Sequence, residues 1–120
     1  MAGHLTTHVL DTAHGRPAVG VAVELVRIDP ESGGRESLCW TRTNAEGRTD
    51  SPLLAGEAFL PGIYELVFDV GDYFATAGSA NADIPFLDRV PVRFGICEGD
   101  GHYHVPLLAS PWSYTTYRGR

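Results

Sequence analysis

Two histidines near the end of the chain, His102 and His104, carry the first chemical signal. They sit in the run His102-Tyr-His-Val-Pro-Leu-Leu108, which reads as a strand. Side chains alternate faces along a strand, so both imidazoles share one face, roughly 6.6–6.8 Å apart at Cα. An imidazole near neutrality can bind a metal, carry a proton or satisfy a backbone group. Spacing alone leaves all three readings open for this pair. A metal site needs further ligands, and none lies nearby at a standard spacing. His4 and His8 fall four apart on a strand of their own, about 13 Å, too far to share one ion. Arg48 follows a glycine turn, so the turn and not a core positions it. Taken singly, His8 and Arg48 read equally well as ordinary strand and surface residues. A serine nucleophile is lacking: Ser110 precedes Pro111, and no serine sits in a glycine-flanked elbow.

The elements that must hold these groups are strands. Leu5–Leu10 alternates, with His4, Thr6, His8 and Leu10 on one face and Leu5, Thr7 and Val9 on the other. Residues 11–17 form a turn closed by Gly15 and Pro17. Val19 to Ile28 is the next strand, with Val19, Val21, Val23 and Leu25 as its apolar row and Glu24 opposite. A loop over 29–34 leads to a strand from Glu36 to Thr43 and a tight turn over Asn44–Gly47, where Gly47 takes a positive φ at little cost. Residues 51–61 look irregular. Gly62 to Val70 is a strong strand, with Tyr64, Leu66, Phe68 and Val70 inward and Glu65 and Asp69 outward. Gly71 to Gly78 suits a helix of about two turns. Ile84–Leu87 is a connector. Arg89–Ile96 is a strand that Pro91 pushes toward a sheet edge. Glu98–Gly101 reads as a hairpin turn, and the chain closes with a strand from Trp112 to Arg118 beyond the break at Ser110-Pro111. Seven or eight short strands and one short helix predict an antiparallel β-sandwich, with one domain over residues 1–120.

Composition narrows the function classes. With 43% hydrophobic and 20% charged residues, 14 glycines and 8 prolines, the chain has the make-up of a soluble β-rich globule. A formal charge of −6 argues against nucleic acid or an anionic membrane as partner. Cys39 and Cys97 offer neither a metal pair nor a redox dithiol, and suit free thiols in a reducing compartment. No apolar run reaches transmembrane length, and the first residues lack the pattern of a secretion signal, so the cytoplasm is the expected location.

Several separated motifs resemble one family. These are Leu5-Thr-Thr-His8-Val-Leu-Asp-Thr-Ala-His-Gly-Arg-Pro-Ala18, Gly47-Arg48-Thr-Asp50, Gly71-Asp72-Tyr73-Phe74, His102-Tyr-His104-Val-Pro-Leu-Leu108 and Tyr117-Arg118-Gly119. Together they resemble the 5-hydroxyisourate hydrolases, transthyretin-like enzymes of purine breakdown, over essentially the whole chain. The resemblance implies a transthyretin-like sandwich. It also implies hydrolysis of 5-hydroxyisourate to 2-oxo-4-hydroxy-4-carboxy-5-ureidoimidazoline, with no cofactor and no metal. His8, Arg48 and His104 are the implied catalytic residues, and His8, Arg48, Tyr117 and Arg118 the implied substrate-binding ones. His102 is expected to be structural or to support its neighbour. The implied assembly is a homotetramer with its sites at the dimer–dimer interface. Transthyretin itself, a carrier, has the same fold, so a non-enzymatic small-ligand carrier is the alternative; the polar set argues for the enzyme. One departure stands out: the family's terminal serine is replaced by Arg120.

Overall fold

A computed structural model describes residues 3–78 and 83–119. Among them nine strands form two sheets. The strands are β1 (His4–Asp11), β2 (Arg16–Pro17), β3 (Ala22–Ile28), β4 (Arg35–Arg42), β5 (Leu54–Ala55), β6 (Gly62–Asp69), β7 (Arg89–Ile96), β8 (His102–Ala109) and β9 (Tyr114–Thr116). One sheet runs β2-β1-β8-β9, with β5 also paired to β1; the other runs β4-β3-β6-β7. The helix α1 spans Val70–Thr76, with the Asp69 carboxylate accepting from the Asp72 amide at its start.

Alternation builds the core. Leu5, Val9, Tyr103, Val105 and Leu107 from one sheet meet Val23, Leu25, Tyr64, Leu66, Phe68 and Val90 from the other. Leaving these side chains in water would forfeit about 1.5–3 kcal/mol for each large one. Pro91 lies exposed on β7, which is a sheet edge as its missing N–H requires. The inward row Tyr64, Leu66, Phe68 and Val70 is buried as its period predicts, although Val70 already belongs to the helix.

Four expectations need correction. The sandwich is not wholly antiparallel, because β1 and β8 pair in parallel along their full length, from His4↔His102 to Asp11↔Ala109. Residues 98–101 turn the chain but do not make a hairpin, since β7 and β8 lie in different sheets. Val19 is 53% exposed and stands outside β3; the strand begins at Ala22. Its second apolar pair, Val26 and Ile28, packs with Val67 in a separate cluster on the outer side of the sheet. The last strand covers only Tyr114–Thr116: Ser110 Oγ accepts from the Trp112 and Ser113 amides and holds the preceding residues in a turn. Arg120 lies outside the described residues.

Candidate active site

The parallel pairing of β1 with β8 makes the site. Inward residues of both strands fill the core, so the alternate residues His4, Thr6 and His8 must share the outer face with His102 and His104. In register, His4 lies beside His102 and Thr6 beside His104. The His4 and His102 rings stack with centroids 4.1 Å apart. Thr6 Oγ1 sits between two imidazoles, 2.8 Å from His104 Nδ1 and 3.0 Å from His102 Nε2. Among the described residues the other ring nitrogen of His104, Nε2, makes no hydrogen bond to protein.

Arg48 arrives from a stapled turn. Asn44 Oδ1 accepts from the Glu46 and Arg48 amides at 2.9 and 3.2 Å, and the Asn44 amide donates to the Arg48 carbonyl at 2.7 Å. Gly47 has φ 78°, and a Cβ there would fall 2.4 Å from the Val9 carbonyl oxygen, so glycine lets the turn press against β1. The Val9 amide donates to Gly47 O at 2.8 Å, and His8 and Arg48 form an antiparallel bridge. The His8 Nε2–H donates to the Glu46 carbonyl at 2.9 Å. A carbonyl can only accept, so this bond fixes the tautomer and leaves Nδ1 unprotonated.

A cleft of about 310 Å³ opens between these elements, lined by Thr6, Arg48, Asp50, His102 and His104 among others. His8 stands next to it rather than on its wall. Burial, then the Arg48 charge, hold the His8 imidazole below its ordinary pKa. The same two causes, followed by His102 and His8, lower His104. Both shifts favour the neutral imidazole, the form that can take a proton.

The tail is placed differently. The Gly119 amide donates to the His104 carbonyl at 2.7 Å, and a Cβ on Gly119 would come within 2.7 Å of His104 Cδ2, so this glycine lets the tail lie against the ring. Arg118 turns away: its guanidinium covers the Tyr103 ring at 3.9 Å. Tyr117 and Arg118 line a separate cleft of about 220 Å³ with Val92, Phe94 and Tyr103, at the open edge between the sheets. The single chain thus brings His8, Arg48 and His104 together and leaves Tyr117 and Arg118 apart from them. Thr6 and Gly119 escaped the sequence reading as site residues. Strand alternation put Thr6 on the His8 face, but only the pairing with β8 shows what it meets.

A larger cleft, about 650 Å³, lies at the helix end, lined by Arg16, Arg42, Asp69, Asp72 and Tyr73 among others. Among the described residues that line it there is no histidine or cysteine. Among the described residues no group of three or more His, Cys, Asp and Glu is arranged to hold a metal ion, and no helix is long and apolar enough to cross a membrane.

Fold and site together define a transthyretin-like β-sandwich whose outer face carries an arginine and a histidine row. The chain belongs to the HIUase/Transthyretin family, whose sequence profile matches residues 5–119. It is 54% identical over 118 residues to 5-hydroxyisourate hydrolase 2 of Rhizobium meliloti, covering 98% of this chain and 97% of that one. The solved 5-hydroxyisourate hydrolase of Klebsiella pneumoniae superposes with a TM-score of 0.77 at 38% identity, covering 98% and 99% of the two chains. Transthyretin from Sparus aurata superposes at 0.84 with 34% identity, covering 96% and 95%. Backbone likeness therefore does not separate enzyme from carrier, and the side chains must.

Proposed function

We propose that this chain is a 5-hydroxyisourate hydrolase of urate breakdown, a cyclic amide hydrolase in which His8, Arg48 and His104 do the chemistry. One observation carries the reading: two imidazoles, whose burial and cationic neighbour favour the neutral form, stand beside a guanidinium with no carboxylate within salt-bridge distance among the described residues. Hydrolysis of a lactam needs a base for water, a cation for the developing oxyanion and an acid for the leaving nitrogen. A neutral imidazole accepts the water proton as oxygen attacks the carbonyl carbon. Arg48 faces the oxyanion with a fixed charge and a forked donor set. The C–N bond then breaks as an imidazolium or its partner returns a proton to nitrogen. No metal or organic cofactor is called for.

Identity to a curated hydrolase over nearly the full chain supports the same reading. Tyr117 and Arg118 are proposed to bind substrate in the assembled enzyme, a homotetramer with its sites at the dimer–dimer interface. In support, the histidine cleft is open in one chain, and the tail faces the sheet edge. The two unpaired cysteines fit the cytoplasm.

The test is ultraviolet absorbance of freshly generated 5-hydroxyisourate with and without the protein, beside a titration with an apolar aromatic ligand. Accelerated ring opening is expected. Tight ligand binding without acceleration would put the chain with the carriers. An active monomer at assay dilution would contradict the tetramer.

A further inference from the structure

Adjacent threonines on β1 use their hydroxyls in opposite ways. Thr7, on the core face, donates to the Val105 carbonyl at 2.6 Å, an ordinary buried satisfaction. The Thr6 hydroxyl, on the outer face, makes no bond to a backbone group among the described residues; it is shared between His104 Nδ1 and His102 Nε2. A hydroxyl has one proton to donate and can accept another. Two neutral rings can therefore be joined through it in only two self-consistent ways. In the first, His104 Nδ1–H donates to Thr6, Thr6 donates to His102 Nε2, and His104 Nε2 is a free base. In the second every bond runs the other way, and His104 Nε2 carries a proton.

We propose that Thr6 and His102 form a proton relay that switches His104 between general base and general acid without leaving a charge on it. This rests on the hydrolase reading above. In the base step His104 Nε2 takes a proton from the attacking water, Nδ1 passes its proton to Thr6 Oγ1, and Thr6 passes its own to His102 Nε2. His102 Nδ1 then releases a proton to solvent. No electrons change hands, and one proton enters and one leaves. Reversal supplies the proton to the leaving nitrogen. His102 is exposed, so its outer nitrogen can exchange with water, and stacking on His4 holds the ring in place. The other charged or titratable groups beside the row or lining its cleft are His4, His8, Asp50 and Arg48. A fixed cation there makes an imidazolium at His104 costly, which favours moving the proton on over storing it.

The experiment compares the wild type with Thr6→Val, Thr6→Ser and His102→Gln in the ring-opening assay, with folding checked by circular dichroism. Valine keeps the shape and removes the hydroxyl; glutamine still hydrogen-bonds to Thr6 but passes no proton through itself. Expected is a fall in kcat of about 10²-fold for Thr6→Val and His102→Gln, the low end for a positioned proton carrier. KM should stay near the wild-type value, and Thr6→Ser should stay close to wild type. Single-turnover rates in mixed H2O and D2O should bow with deuterium content in the wild type, where several protons move, and run straight in His102→Gln. Wild-type kcat in either Thr6→Val or His102→Gln overturns the relay, as does a straight wild-type plot. Loss in Thr6→Val alone reduces Thr6 to a group that orients His104. A wild type that fails to open the ring overturns the hydrolase reading first, and the relay falls with it.

Discussion

The two sheets treat charge on their outer faces in opposite ways. On the β3–β6 face, Glu65 is buried between Arg35 and Arg93, at 2.7 and 2.9 Å, beside the apolar patch of Val26, Ile28 and Val67. Burial alone would raise its carboxyl, but the two guanidiniums override that and hold it below the usual carboxylate range. On the β1–β8 face the cation, Arg48, faces imidazoles whose neutral form is favoured by burial and by Arg48 itself. Charge on the first face is matched and serves the fold. On the second, Arg48 makes no ion pair among the described residues, although Asp50 lines the same cleft, so its guanidinium is open to an anion that enters, such as a developing oxyanion.

Substitutions should separate the two faces. The largest effect is expected from His104→Ala or His8→Ala, each lowering kcat for ring opening by about 10²–10⁴-fold with folding retained. Near-normal turnover by either variant would remove that residue from the mechanism. Next comes Arg48→Leu, expected to cost about 10²–10³-fold in kcat, as for loss of an oxyanion donor. The same change sharpens the electrostatic half of the comparison. Arg48 depresses both imidazoles, so its removal should raise their pKa values, and the acid limb of the residual activity should move to higher pH. Histidine proton NMR would show this without turnover, and unmoved titrations would contradict it. Gly119→Ala is expected to lower kcat more modestly, because its Cβ would crowd the His104 ring.

Smallest in activity, and opposite in kind, is Arg93→Met. It should leave kcat unchanged and cost up to about 1 kcal/mol of stability, since Arg93 is half exposed and its ion pair is screened. The pH sign follows from the depressed Glu65. Its contribution is fully present above the ordinary carboxylate pKa and is lost as pH falls through the lower folded value. Arg93→Met should therefore narrow its stability gap to wild type as the medium turns acid. A gap that widened there would contradict the assignment.

Alternation made much of this readable from the chain. The core row of β6, the edge position that Pro91 demands and the glycine turn before Arg48 all follow from period and local sterics. Placing His104 and His102 on one face needed nothing more. What it could not supply was the neighbour across the ladder. A parallel pair between the first long strand and one nearly a hundred residues later leaves no local signature, and that pair brings Thr6 to His104. The same limit hid the sheet change after Ile96 and the turning of Arg118 onto Tyr103. Val19 misled for another reason: an apolar residue in phase with a strand can still precede it and face water. The motifs pointed to the residues, but long-range pairing decided how they meet.

The most direct test is the rate of ultraviolet absorbance loss of 5-hydroxyisourate, over the spontaneous rate, for the wild type and for Arg48→Leu. Rapid loss with the wild type, slowed about 10²–10³-fold in the variant, is the predicted result. Equal rates for the two proteins, or no acceleration by either, would contradict the account.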